Sequence, residues 1–494
     1  MKNFFLTAYT DLLHTTARLT VLGARERACT DYVSPMRGAS VSTVDVDFLS
    51  MQRAYELAHD DYDAMPEDKI PALAATAIQW LQRSVAVRDH GTAWATANQA
   101  EQAIMAKFGD LLGAPDQRFQ DPNDDDAFAW FCSQSVIAHR LTRVDGGYRI
   151  DLSFLRGYEL RDGAEALGSD AYFDDALRPL RIEGFRGATI RPGDADWGMA
   201  KYHFRCSAAL AATIVDHAIY AHLATANSMV VSTRRMLDVD HPLRRLLAPF
   251  QLKTIGINEL ASVTLIGEGA MVHRLTGLTW RGLDALYHDA ERQARFETLP
   301  ELVARNGTAH LPWAQDAIEI WNALEHFASR YLALYMDEEL SDPSVLAWWR
   351  SFASRFGSPM TEIRTRTELA RVVTIMMWVV TGWHRHIAIP DDLARSPEWF
   401  AYYLPAGTQS VRAMWPSREK TMLNMLLVAL TSPRGPKITQ DFSQYMLDAP
   451  ARACVKTLHA ELSAAGARIA ERNLARAYPL RVFEPQSIEI SIST

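Results

Sequence analysis

Cysteine is scarce, with four residues (Cys29, Cys132, Cys206 and Cys454) in a chain of 494. So few thiols cannot staple a fold of this length, and no CxxC pair offers a zinc site. Reduced thiols and a cytoplasmic location are the expectation. Long apolar runs are missing as well. The two longest, Val372 to Trp383 and Ser207 to Ile219, are bounded by Arg, Asp and His. Both fall short of the roughly 18 residues that a membrane span needs, so they read as buried helices. The opening stretch Met1 to Tyr9 starts like a weak secretion signal. Asp11 and His14 cut its apolar run and no small-x-small cleavage pattern follows, so it reads as a first helix of the mature chain. Basic charge is not in excess: 51 Lys and Arg face 59 Asp and Glu, for a net charge of -8. With no Lys/Arg run, nucleic acid is not expected as the main partner. Internal repeats and low-complexity linkers are also absent.

What is present is a large apolar complement. Hydrophobic residues make up 48% of the chain and Trp alone numbers 13, enough for a sizeable core. A mean hydropathy of -0.13 is too polar for a polytopic membrane protein. Length alone suggests two to four domains. Helical periodicity runs through residues 1–115, for example Ile70 to Val85 and Ala93 to Leu112. Residues 145–193 are irregular with short alternating pieces, and 196–475 are again mainly helical. Asp121 to Asp126 resembles half a calcium loop, but the sixth position lacks glycine and Cys132 stands where the closing Glu belongs. A solvated helix N-cap is the better reading. The last residues, Ser487 to Thr494, alternate polar and apolar as an extended segment does. Three Ile in five positions suggest a tail driven into the protein, and a buried α-carboxylate needs a partner such as a metal ion.

Two histidines, His217 and His222, lie in the apolar stretch Ser207 to Leu237. In a regular α-helix, five residues advance about 500°, leaving the rings about 140° apart. They converge on one ion only if the helix unwinds into a π-type turn, a feature that marks functional sites. His384 and His386 end the other apolar helix, about 200° apart around its axis, so at most one of them faces an interior site. Three imidazoles plus a carboxylate, with positions left open for oxygen, suit iron or manganese better than a closed zinc site.

Several separated motifs now line up in order. They are Trp197-Gly198-Met199-Ala200-Lys201; His217 and His222; His241-Pro242 followed by Leu246-Leu247, Pro249, Thr254 and Ile257-Asn258; Leu299-Pro300-Glu301-Leu302; Ile318-Glu319-Ile320-Trp321; Trp348-Trp349; and Pro485, Ile488 and Ser491-Ile492-Ser493. From about residue 120 onward the chain resembles the lipoxygenases, non-haem iron dioxygenases of polyunsaturated fatty acids. The resemblance implies a mostly α fold of long buried helices around a non-haem metal, with few short strands. It makes residues 116–494 the catalytic domain of a minimal, bacterial-style form without the N-terminal β-barrel. Residues 1–115 become a helical region packed on that domain or covering it.

The resemblance also assigns roles. The ligands would be His217, His222, His384 and the C-terminal carboxylate of Thr494, holding Fe2+/Fe3+ or manganese. No side-chain acid or base is implied beyond a hydroxide on the metal. Ala261 and Leu265 match the residues that steer oxygen and clamp the reactive carbon, and Ala388 falls where the family's variable fourth side-chain ligand stands. The implied partners are O2 and an apolar unsaturated small molecule, acting on a monomer. The chain departs from the pattern at Ala212, Phe250, Leu252 and Ala388. These departures support the alternative of a metal-dependent oxygenase or oxidase acting on a non-lipid small molecule. Of the remaining residues, Trp321, Trp348 and Trp349 read as core. His241 reads as a structural hydrogen-bonding histidine, while His203, His288 and His386 read as surface or supporting ones. The pairs Arg234-Arg235 and Arg244-Arg245 read as a solvated face.

Overall fold

In the computed structural model, residues 121–492 are described except 253, 262–264, 268–269, 355, 357–361, 389–397 and most of 419–435. Short pieces between 94 and 106 are described as well. The remaining expectations for residues 1–115 lie outside the described residues. Trp94 is buried, and its indole N–H donates to Thr421 Oγ1 at 3.0 Å.

Helix α1 (Asp125–Gln134) buries Phe128, Phe131 and Cys132. Asp124 does stand at its N-cap, but its side chain makes no capping hydrogen bond. Asp125 in the first turn is the engaged acid. Residues 142–190, irregular in sequence, form a five-stranded antiparallel meander in the order β1 (Thr142–Val144), β2 (Gly147–Ile150), β3 (Asp170–Phe173), β4 (Pro179–Phe185) and β5 (Ala188–Ile190). Four of the five strands have only three or four residues, too few to show a clear period in sequence.

From Trp197 one helix runs without a break through α2 (Trp197–Leu210), a π-helical segment (Ala211–Asn227) and α3 (Ser228–Met236). Its entry is fixed by Trp197, Lys201 and Arg205, spaced four apart and so on one face. The Trp197 indole and the Lys201 ammonium both donate to Asp125 Oδ1, at 2.8 and 2.7 Å. Buried Arg205 spans Trp399 O, Pro122 O and Asn123 Oδ1 at 2.6 to 3.0 Å. This explains the spacing of the Trp and Lys in the first motif. After α3 come α4 (Pro242–Leu247), α5 (Thr254–Ala261), α6 (Met271–Leu275), α7 (Trp280–Gln293), α8 (Leu299–Asn306), α9 (Pro312–Leu332) and α10 (Pro343–Ala353). Then follow α11 (Arg366–Trp378), a second π-segment (Val379–Trp383), α12 (His384–Ile387) and the long α13 (Ala449–Leu474).

Two apolar cores result. One joins the sheet, α1 and α2 around Phe128, Tyr148 and Tyr202. The other joins α9, α10, α11 and α13 around Trp313, Trp321, Trp348 and Trp378. The first π-segment lies between them, giving Ala212, Ile214 and Ile219 to the first core and Ala221, Ala224 and Ala226 to the second. A helix apolar on all sides must be buried on all sides. Among the described residues no helix is long and apolar enough to cross a membrane.

The C-terminal stretch behaves as its alternation suggests. Ile488, Ile490 and Ile492 are fully buried. The segment pairs with residues 436–438 through an isolated antiparallel bridge: Ile438 N–H donates to Ile488 O and Ile490 N–H to Pro436 O, at 3.0 and 2.9 Å. Ser491 Oγ donates to Leu252 O at 3.0 Å, and Thr254 Oγ1 to Ile492 O at 3.4 Å. The tail is thereby tied to the start of α5.

Candidate metal centre

The first π-segment changes what a five-residue spacing means. Its i→i+5 hydrogen bonding brings residues five apart nearly into register along the axis. His217 and His222 therefore point the same way, and their Nε2 atoms lie 3.1 Å apart. His384 arrives from the end of the second π-segment. Its Nε2 is 2.8 Å from that of His217 and 3.3 Å from that of His222. Two nitrogens each about 2.1 Å from one ion and at right angles to each other stand about 3.0 Å apart. Three imidazoles spaced in this way form one face of an octahedron and leave the opposite face free. Among the described residues, this is the one group of three such side chains able to hold a metal.

The donors are also in the right protonation state. Burial pushes the His222 imidazole down to about 4, against the opposing pull of its bond to Asn258. Burial, followed by repulsion from the neighbouring imidazoles, holds His217 and His384 well below the ordinary histidine value. All three are neutral at pH 7, as a ligating imidazole must be. His222 Nδ1 lies 2.8 Å from Asn258 Oδ1, so it carries the hydrogen and leaves the Nε2 lone pair free for a metal. Asn258 belongs to α5, one helical turn after Thr254, so the helix that orients His222 also anchors the C-terminal tail.

Behind these side chains runs a buried polar chain that no sequence pattern reveals. The Trp313 indole N–H donates to His386 Nδ1 at 2.8 Å. His386 Nε2 meets His139 Nδ1 at 3.1 Å, and His139 Nε2 meets Asp216 Oδ2 at 3.1 Å. Arg140 closes the chain, donating to both Asp216 oxygens at 2.9 and 2.6 Å.

The other expected site residues fall as follows. Thr494 lies outside the described residues. Ala261 ends α5 and is part-buried, and Leu265 is part-buried against the sheet-side core. Ala388 follows α12, its N–H donating to His384 O at 3.0 Å, and its methyl offers no donor atom. His241 is structural: it caps α4 by accepting the Leu243 N–H and meets Asp342 at 3.1 Å. His288 is half-exposed beside Asp284. His203 is no surface residue, being fully buried between Ser169 Oγ and Ala166 O, each 2.9 Å away. The solvated-face reading of the arginine pairs fails for Arg244 and Arg234. Both are buried, and Arg244 donates to Leu237 O at 2.7 Å, satisfying a carbonyl just past the end of α3.

Gly382, in the second π-segment, bears directly on the site. A Cβ there would sit 2.1 Å from Cζ3 of Trp378. That ring cannot retreat, because it stacks on Phe483 and meets Trp321 edge-on. Gly382→Ala is expected to destabilise the fold by about 1–3 kcal/mol and to shift His384. A thermal midpoint and metal content equal to those of the parent chain would refute this.

The lipoxygenase family model matches residues 186–432, which covers the first π-segment and His384. A polyunsaturated fatty acid lipoxygenase of Mus musculus (ALOX8) is 27% identical over 364 residues, covering 67% of this chain and 53% of that protein. The Homo sapiens ALOX15B enzyme is 27% identical over 329 residues, covering 60% and 48%. The chain thus spans about half the length of these curated relatives. Among solved structures, a coral 8R-lipoxygenase superposes with a TM-score of 0.72 at 17% identity, covering 97% of this chain and 81% of that one. A lipoxygenase from Fusarium graminearum gives 0.71 at 15%, covering 96% and 98%. With the same fold, the family match and three imidazoles gathered by a π-helix, the chain belongs to the lipoxygenase family.

Proposed function

We propose that the protein is a non-haem iron dioxygenase that removes hydrogen from a polyunsaturated fatty-acid-like substrate and adds O2 to give a hydroperoxide. The observation that carries this reading is the convergence of His217, His222 and His384 Nε2 atoms at 2.8 to 3.3 Å. We further propose the α-carboxylate of Thr494 as the fourth donor, since Ile492 is already tied to α5 beside Asn258. Iron, or manganese, bound there would supply both the one-electron change and the base for hydrogen removal. The balance is RH plus O2 to ROOH: one C–H bond breaks, one C–O bond forms, and the hydrogen returns to the terminal oxygen. The chain's own part is positional. Asn258 sets the His222 ring, the two apolar cores hold the π-segment between them, and Ala261 and Leu265 stand as the oxygen-steering and substrate-contacting residues.

A second reading, in which the substrate is a polar small molecule, draws on a different observation. A cavity of about 470 Å³ lies against the back of the π-segment, reaching Asp216, Tyr220 and Trp383 and lined by Arg140, Arg295 and Glu297. These charged walls suit a polar group; Phe154, Leu286, Leu299 and Leu302 also line the cavity, and none of the three converging histidines does. Oxygen uptake by the iron-loaded protein with linoleate and with arachidonate decides between the two. Uptake matched by conjugated-diene hydroperoxide, and abolished in His217→Ala, is the expected result. A metal-replete protein that consumes no oxygen with either acid would remove the fatty-acid reading.

A further inference from the structure

We propose that Asp216, His139 and His386 act as positioning residues that hold His217 and His384 at the spacing of one metal; this rests on the metal-centre reading above. Asp216 directly precedes His217 in the first π-segment, and His386 lies two residues after His384 in α12. His139, brought from before β1, bridges them with both ring nitrogens, at 3.1 Å each.

The proton bookkeeping closes with no group left over. Trp313 can only donate, so His386 Nδ1 is an acceptor and its hydrogen is on Nε2. That hydrogen goes to His139 Nδ1, which places the His139 hydrogen on Nε2, facing the Asp216 carboxylate. Each ring is then neutral and has one fixed tautomer, and the chain runs one way from indole to carboxylate. Burial lowers both imidazoles, in keeping with this. The Asp216 charge is matched by the bidentate guanidinium of Arg140. The backbone of His139 is itself pinned, its carbonyl accepting from Asn306 Nδ2 at 2.8 Å, and Trp383 packs edge-on against its ring at 4.6 Å. A network with every member satisfied is rigid, whereas one with a missing member leaves an unpaired buried group.

The consequence is geometric. The first π-segment, which carries His217 and His222, and the turn that carries His384 are joined side chain to side chain, behind the rings that face the metal. Removing the bridge frees the π-segments to move apart, and a shift of more than about 0.2 Å in a metal–nitrogen distance is enough to spoil a site. Groups bonded directly to a ligand, as Asn258 is to His222, are worth about 10–100-fold in metal affinity, and a bridge acting one or two residues away is expected at the low end of that range.

The test titrates Co2+ into the metal-free full chain, reading affinity by chelator competition and coordination by the visible absorption of the bound ion. His139→Phe keeps the ring's bulk but neither nitrogen. It is expected to bind Co2+ at least about tenfold more weakly, with an altered absorption envelope. His139→Gln places one acceptor and one donor on a single amide, so it restores both readouts toward the parent values. A folded His139→Phe protein with parent affinity and an unchanged spectrum would overturn the positioning role. The metal-centre reading would still stand, provided the parent binds and His217→Ala does not. A parent chain that binds no Co2+ overturns both. Should His139→Phe not fold, His386→Phe breaks the same bridge from the α12 side, and a folded variant with parent affinity and an unchanged spectrum is equally fatal.

Discussion

Replacing His217, His222 or His384 with alanine is expected to reduce bound metal from near one equivalent to background and to abolish oxygen uptake. Each imidazole supplies one corner of the same face, with Nε2 separations of 2.8, 3.1 and 3.3 Å, so losing any one leaves at most two nitrogens. The three variants should behave alike, which distinguishes a shared ion from three independent polar contacts. Stability should not follow the same course. In the metal-free chain, three neutral rings turn lone pairs and single hydrogens toward one small space, and His222 has already committed its hydrogen to Asn258. Relieving that crowding costs little at His217 and His384, so their metal-free alanine variants should unfold within a few degrees of the metal-free parent, as is common when a site is held at the expense of stability; His222→Ala also strips the buried Asn258 oxygen of its partner and should unfold lower. Elemental analysis and thermal unfolding after chelation check both halves. Near-stoichiometric metal in any one variant would remove that histidine from the site.

Much of this centre is legible in the sequence, for identifiable reasons. The two apolar stretches announce buried helices, and histidines within them need either a partner or a ligand. The five-residue spacing looks wrong for an α-helix and right for a π-helix, and the structure takes the second course. The closing alternation of Ile and polar residues is a local signal, and the tail is buried as that signal suggests. What could not be read is whatever depends on distant pairing. His139 lies 77 residues from Asp216 and 247 from His386, and no local period relates them. Arg244 misled because an Arg-Arg pair is ordinarily solvated. Only the fold shows that the carbonyls at the end of α3 need a buried donor there. Of the meander only short alternating pieces are legible, because four of its five strands have three or four residues.

Mild acid is expected to unfold the metal-free chain. Six histidines, five of them buried (His139, His203, His222, His384 and His386) and one part-buried (His217), are held below the ordinary imidazole value, in each case chiefly by desolvation. In the unfolded chain these rings take up a proton near pH 6.5. In the folded chain they refuse it until the pH is lower, for His222 until about 4. The unfolded state therefore binds more protons below pH 6.5. The stability they confer is complete above that value and is lost as the pH falls through the window beneath it. Each ring contributes at most about 1.4 kcal/mol per pH unit in that window. Several acting together between pH 6.5 and 5 remove a large part of the 5–15 kcal/mol that domains typically have. Asp216 does not oppose this. Its carboxyl is held well below the usual range by Arg140 and His139, despite its burial, so its own contribution is lost only at much lower pH. Urea midpoints at pH 7.5, 6.5 and 5.5 in the presence of a chelator measure the effect, and a flat profile would refute it. His203→Gln, about four turns before His217 on the same helix and bonded through its ring to Ser169 and Ala166, removes one titrating ring and should reduce the slope by about one proton's worth. An unchanged slope would mean that His203 takes up its proton as readily folded as unfolded.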